Sequence, residues 1–141
     1  MKNKILLGTG NAGKIKEMCF YLKHFNIFQT FETLTPLDFK HLGEPIENGT
    51  TFEANAKLKS NFFFRTTNLL SLSDDSGLII DKLNGYPGIK TARVAKDLGG
   101  EQKVIDYIFS KFENEPQLKA TFHCSIALRG KDKKLIYIYL S

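Results

Sequence analysis

Apolar and polar positions along this 141-residue chain change rhythm several times, and each change marks an element. Lys4 to Leu7 is a short apolar run closed by Gly8 and predicts a buried first strand. From Lys14 the spacing turns helical. Ile15, Met18, Cys19 and Leu22 recur on one face, predicting a helix to about His24. Ile27 to Leu34, rich in Phe and Thr, predicts a second strand. Thr35 to Asn48 holds Pro36, Gly43 and Pro45 and reads as a loop. Thr50 and Glu53 have capping-box spacing, so a helix is expected from there to about Arg65. The apolar runs Leu69 to Leu72 and Leu78 to Ile80 predict two strands, with Asp74 and Asp75 on the turn between them. Asn84-Gly85-Tyr86-Pro87-Gly88 is turn chemistry. Val104, Ile105, Ile108 and Phe112 predict another helix. Thr121 to Leu128 and Leu135 to Leu140 predict strands joined by the polar stretch Arg129 to Lys134. Early alternation of strands and helices favours an α/β layered fold, expected as a single domain over 1–141.

Composition narrows the class without naming a reaction. Hydrophobic content of 42% and charged content of 25% are ordinary for a globular protein. No apolar run is long enough to span a membrane. The basic-then-apolar start is too short for a signal peptide, so a cytoplasmic chain is expected. Cys19 and Cys124 are too few for a disulfide framework and read as core thiols. His123 beside Cys124 suggests metal only weakly, because neighbours on a strand point to opposite faces. A net charge of +5 fits an anionic partner: nucleotide, nucleic acid and plain solubility all agree with it. Phe62-Phe63-Phe64-Arg65 lies on an expected helix, where three consecutive Phe are mostly core. No nucleic-acid or membrane partner is therefore expected.

Three segments carry candidate chemistry. Gly8-Thr9-Gly10-Asn11-Ala12-Gly13-Lys14 joins a strand to a helix with P-loop spacing. Glycines let backbone N–H groups approach phosphate, and a helix start adds positive potential. Ile15 stands where a P-loop needs Ser or Thr, so an anion-binding turn and a plain tight turn are about equally supported. Asn55 and Lys59 are one helical turn apart and share a face. They suit a phosphate, although a solvated helix face accounts for them as well. Asp74-Asp75-Ser76-Gly77 reads either as an ordinary turn or as a cation site. Adjacent carboxylates near apolar strands repel, and a cation offsets that cost. Magnesium takes few protein carboxylates, and Glu47 is the best partner ligand.

Four segments, Thr9 to Lys14, Phe52 to Lys59, Ser73 to Leu78 and Gly85 to Arg93, together resemble the inosine triphosphate pyrophosphatase (Ham1-like) family. Phe122-His123-Cys124 is similar to the family's later strand. The resemblance implies a mixed, elongated sheet flanked by helices in two lobes, and a homodimer. It implies Mg2+-dependent hydrolysis of ITP, dITP and XTP to the monophosphate and pyrophosphate. Carried over by position, the turn of Thr9, Gly10, Asn11, Ala12, Gly13 and Lys14 would bind the triphosphate, assisted by Lys59. Glu47 and Asp75 would hold the metal with Asp74 nearby, Asp75 would activate water, and Ser76 would touch substrate. The family continues past the length of this chain with a Phe-Gly-Tyr-Asp segment, a lysine and a Ser-His-Arg motif that read the purine. A C-terminally truncated member is thus expected, either active or a nucleotide-binding remnant.

Overall fold

The computed structural model describes residues 2–26, 29–112 and 117–132, and the backbone of 136–140. Five strands form one mixed sheet: β1 (Asn3–Leu7), β2 (Phe31–Leu34), β3 (Leu70–Ile79), β4 (Thr121–Arg129) and β5 (Ile136–Leu140), in the order β2-β1-β3-β4-β5. β1 runs parallel to β2 and β3, whereas β4 runs antiparallel to β3 and β5. Two helices make the parallel crossovers: α1 (Ala12–His24) from β1 to β2, and α2 (Phe52–Thr67) from β2 to β3. The first crossover leads to one side of β1 and the second to the other. Right-handed connections therefore put α1 and α2 on opposite faces of the sheet.

α2 buries a stripe of Phe52, Asn55, Ala56, Lys59, Ser60 and Phe63, at helical spacing along its full length. Its N-cap is Thr51, whose Oγ1 accepts from the Ala54 N–H at 3.0 Å, one residue later than Thr50. Glu53 pairs with Lys57 at 2.8 Å instead of capping. Asn68 closes the helix in the left-handed conformation, φ 55°. Burial of Phe63, whose ring lies under Gly8, contributes about 2–3 kcal/mol.

A second cluster forms beyond the far end of β3. Ile80, Val104 and Ile108 are buried there against Leu78, Leu83, Val94, Ala95, Phe112 and Leu118. Val94 and Ala95 come from α3 (Thr91–Leu98), a helix the hydrophobic pattern does not announce. Val104 and Ile108 come from α4 (Glu101–Ser110). This cluster and the packing of α2 on β3 and β4 give the sheet its two lobes.

Three expectations are corrected. Asp74 and Asp75 are not on a turn, because Leu70–Ile79 is one continuous strand. Its partner β4 supplies an unbroken ladder from Ser71↔Arg129 to Ile79↔Thr121, and that ladder overrides the local turn preference of Asp, Ser and Gly. The second strand begins at Phe31, not Ile27; residues 27 and 28 lie outside the described set. Within the expected loop, Pro36–Asp38 is a 3-10 turn held by the Asp38 carboxylate, which accepts from the Thr35 N–H at 2.7 Å.

Candidate functional site

The sheet reverses direction of growth at β1, and the crevice beyond the carboxyl ends of such strands is the usual ligand site of open α/β sheets. Two candidate segments meet there. β1 pairs with β3 only as far as Leu7↔Leu72, so Asp74 and Asp75 stand just past the end of β1. The turn from Gly8 to Lys14 starts at that same level, with the Gly8 N–H donating to the Leu72 carbonyl at 2.6 Å.

The turn is largely self-satisfied. Asn11 is the N-cap of α1, and its Oδ1 accepts from the Gly13 N–H at 2.8 Å and the Lys14 N–H at 3.2 Å. The Asn11 N–H donates to Thr9 Oγ1 at 3.2 Å. Gly8 is required by packing: a Cβ there would run into Ser73 Oγ and the Phe63 ring. Gly10, Asn11, Ala12 and Gly13 are exposed, so the outer rim of the turn faces solvent.

Asp74 and Asp75 leave β3 in opposite directions, as neighbours on a strand must. Asp74 faces α1. Its Oδ2 accepts from Lys14 Nζ at 2.7 Å and from Ser76 Oγ at 3.3 Å. Its Oδ1 is buried without a hydrogen-bond partner. Asp75 faces α2. Its Oδ1 accepts from Lys59 Nζ at 3.2 Å and its Oδ2 from Asn55 Nδ2 at 3.2 Å. Lys59 Nζ also lies 3.5 Å from Glu47 Oε2. Asn55 and Lys59 are buried, at 3% and 8% exposure, which excludes the solvated helix face.

Burial pushes the Asp75 carboxyl above the ordinary carboxylate range. The Lys59 charge and the hydrogen bonds from Asn55 and Lys59 pull it back, and the charge of Glu47 raises it further. Burial also pushes the Cys124 thiol up, with the Asp74 charge adding to the effect. Cys124 and Cys19 are both partly buried free thiols. His123, on the other face of β4, stacks on Phe52 with ring centres 4.6 Å apart and lies 3.1 Å from Ser125 Oγ. Phe52, His123 and Ser125 wall an open cleft of about 540 Å³ that Thr50, Thr51, Ile79, Gly88 and Ile89 complete.

Among the described residues, no three His, Cys, Asp or Glu side chains come together as a ready metal cage. Glu47 and Asp75 do converge on one ammonium, and Asp74 is turned away from them to Lys14. A pair of carboxylates suits a cation that takes its remaining ligands from water and phosphate oxygens. The donor set therefore fits magnesium held together with a polyphosphate.

Comparison with known proteins settles the lineage. The Ham1 family model matches residues 5–139. This chain belongs to the Ham1 family. A dITP/XTP pyrophosphatase of Bacillus cereus is 36% identical over 139 residues, covering 96% of this chain and 66% of the relative. One from Vibrio parahaemolyticus is 39% identical over 127 residues, covering 89% and 61%. The chain thus spans less than two-thirds of the length of either relative. The Staphylococcus aureus Ham1 protein superposes with a TM-score of 0.77 at 30% identity, over 97% of this chain and 68% of that one. The Mycobacterium abscessus nucleoside-triphosphatase (dITP/XTP pyrophosphatase) gives 0.76 at 27%, over 97% and 71%. The Ham1 fold accounts for the mixed sheet and its flanking helices.

Of the residues singled out in the sequence, the fold gathers Lys14, Glu47, Lys59, Asp74, Asp75 and Ser76 around the end of β1. Asn55 joins them through Asp75, a role that its spacing from Lys59 hints at. Gly49, which donates to Asn55 Oδ1 at 2.8 Å, carried no signal beyond its place before the helix.

Proposed function

We propose that this chain carries the phosphate-binding and catalytic half of a nucleoside-triphosphate pyrophosphatase acting on non-standard purine nucleotides such as dITP, XTP and ITP. The observation that carries the reading is the convergence of Glu47, Lys59 and Asp75 at the carboxyl end of β1, beside the solvent-facing turn that starts α1. The names of the relatives supply the substrate class.

In this reading Lys14 exchanges Asp74 for a phosphate oxygen, and Lys59 moves from its two carboxylates toward the polyphosphate. Both then offset charge that grows on the phosphate oxygens in the transition state. Thr9, Gly10, Asn11, Ala12 and Gly13 form the rim of the triphosphate site, and Ser76 holds the Asp74 carboxylate beneath it. Glu47 and Asp75 are the residues that would hold Mg2+, which supplies charge neutralisation on the phosphates when bound. Asp75 takes the proton of a water that attacks the α-phosphorus, and pyrophosphate leaves. A carboxyl shifted upward by burial is a better base than a free one. The family resemblance adds a homodimer and a cytoplasmic setting to the proposal. Among the described residues, no helix is long and apolar enough to cross a membrane.

The test is pyrophosphate release from ITP, XTP and ATP by the chain, with and without Mg2+. Release that depends on Mg2+, favours ITP or XTP and falls by about 100-fold or more in Asp75→Asn is expected. Folded chain that releases none, or an Asp75→Asn variant as active as the parent, overturns the reading.

A further inference from the structure

Asn55 is a buried amide with both ends committed. Its Oδ1 accepts from the Gly49 N–H at 2.8 Å, and its Nδ2 donates to Asp75 Oδ2 at 3.2 Å. The orientation is forced, since a flipped amide would set donor against donor at Gly49 and acceptor against acceptor at Asp75. A side-chain amide offers a donor and an acceptor fixed in one plane, close enough together to bridge Gly49 and Asp75.

The two bonds close a circuit. Gly49 lies two residues after Glu47, and Glu47 reaches Lys59 Nζ at 3.5 Å. Lys59 returns to Asp75 Oδ1 at 3.2 Å. One helix face thus grips both oxygens of Asp75, with a charged hand at Lys59 and a neutral hand at Asn55. The charged hand is the one a polyphosphate competes for. Asn55 has no such competitor, because it is 3% exposed. The chain also reserves room for the amide: a Cβ on Gly49 would stand 2.6 Å from Asn55 Oδ1 and 2.9 Å from Ala54 Cβ.

We infer that Asn55 is a positioning residue, which ties the segment bearing Glu47 to Asp75 and keeps the Asp75 carboxylate aimed when Lys59 turns to substrate. The inference rests on the proposed function for its catalytic half, while the tie itself stands on geometry alone.

Amide hydrogen exchange reads the tie without any reaction. In the parent chain the Gly49 amide exchanges at least tenfold more slowly than an unstructured amide. That protection falls at least tenfold in Asn55→Ala. It falls as well in Asn55→Asp, which keeps an acceptor for Gly49 but loses the donor and sets a second carboxylate against Asp75. It also falls at least tenfold in Asp75→Ala, which frees the far end of the amide. An unprotected Gly49 in the parent, or protection indifferent to Asn55→Ala and Asp75→Ala, overturns the tie. Kinetics reads the consequence. Asn55→Ala, Asn55→Asp and Gly49→Ala each lower kcat about tenfold or more with KM within threefold, and the first and third together lose no more than either alone. A kcat for Asn55→Ala within twofold of the parent, where Asp75→Asn abolishes turnover, overturns the positioning role. Should Asp75→Asn retain full activity, the proposed function fails, and Gly49 protection still decides the tie.

Discussion

Gly77→Ala should weaken the junction between the two lobes. A Cβ at Gly77 would meet the Gly88 carbonyl oxygen, Thr91 Oγ1 at 2.6 Å and the Phe52 ring at 2.9 Å. Backbone and a buried ring cannot yield as a flexible side-chain end can, so the strain of overpacking applies, about 1–3 kcal/mol. Thr91 is the group best able to move. Its Oγ1 accepts from the Leu78 N–H at 3.0 Å and donates to the Gly88 carbonyl at 2.7 Å. Giving up those bonds costs roughly 1 kcal/mol each, and the strain they relieve offsets part of the first figure. The net expectation is about 2–4 kcal/mol. At roughly 3–5 °C per kcal/mol for a chain of this size, Tm falls by about 6–20 °C. Urea unfolding followed by circular dichroism should show a lower midpoint at unchanged m-value. The same substitution placed on Thr91→Ala should cost less than on the parent, because the obstructing hydroxyl is gone. A loss below about 0.5 kcal/mol in the parent, or an equal loss in both backgrounds, would refute the reasoning.

Lys14→Met should destabilise the metal-free chain by about 1–3 kcal/mol, since Asp74 is left buried without its cation, and adding Asp74→Asn should restore most of the loss. Additive losses in that double variant, read by the same unfolding assay, would contradict the pairing. For Asp75, the folded chain holds the proton more tightly than the unfolded chain does, because burial raises its pKa. Its contribution to stability is therefore fully present below the unfolded value near 4 and is lost as pH rises through the folded value. Measured in chelator from about pH 4 to pH 8, the stability of the parent minus that of Asp75→Asn should fall with pH. A difference that is flat or rises would count against the burial argument.

The hydrophobic rhythm revealed β1, α1, α4 and β4 because each alternates or repeats cleanly enough to show which side faces inward. It misjudged the centre of the molecule for one physical reason: the site residues are buried. Ser71, Ser73, Asp74 and Asp75 are all buried in β3, where the pattern of polar residues signals a turn. The buried stripe of α2 likewise contains Asn55, Lys59 and Ser60, so its inward face looks solvated in the sequence. Asn55 and Lys59 meet Asp75 from 20 and 16 residues away along the chain, and local preference cannot register such partners. α3 has little hydrophobic signal because it is short and meets the apolar cluster through Val94 and Ala95 alone, with the polar Thr91 as its other inward group. The resemblance to a family supplied the roles of Glu47 and Lys59 as expectations, and the fold shows how one ammonium can serve two carboxylates.

The paired acids on β3 have a consequence for how this strand can change over evolutionary time. Side-chain direction on a strand alternates at every residue, so a one-residue insertion before Ser73 would carry Asp74 into the position now held by Asp75. α2 would still face a carboxylate, while α1 would face Ser73. A one-residue deletion would instead carry Asp75 toward Lys14 and leave Ser76 facing Lys59. The doublet therefore keeps one face supplied with an acid through either slip, but no single slip preserves both. Lineages that drift in this strand should lose one lysine–carboxylate pair at a time, and which pair is lost records the direction of the slip.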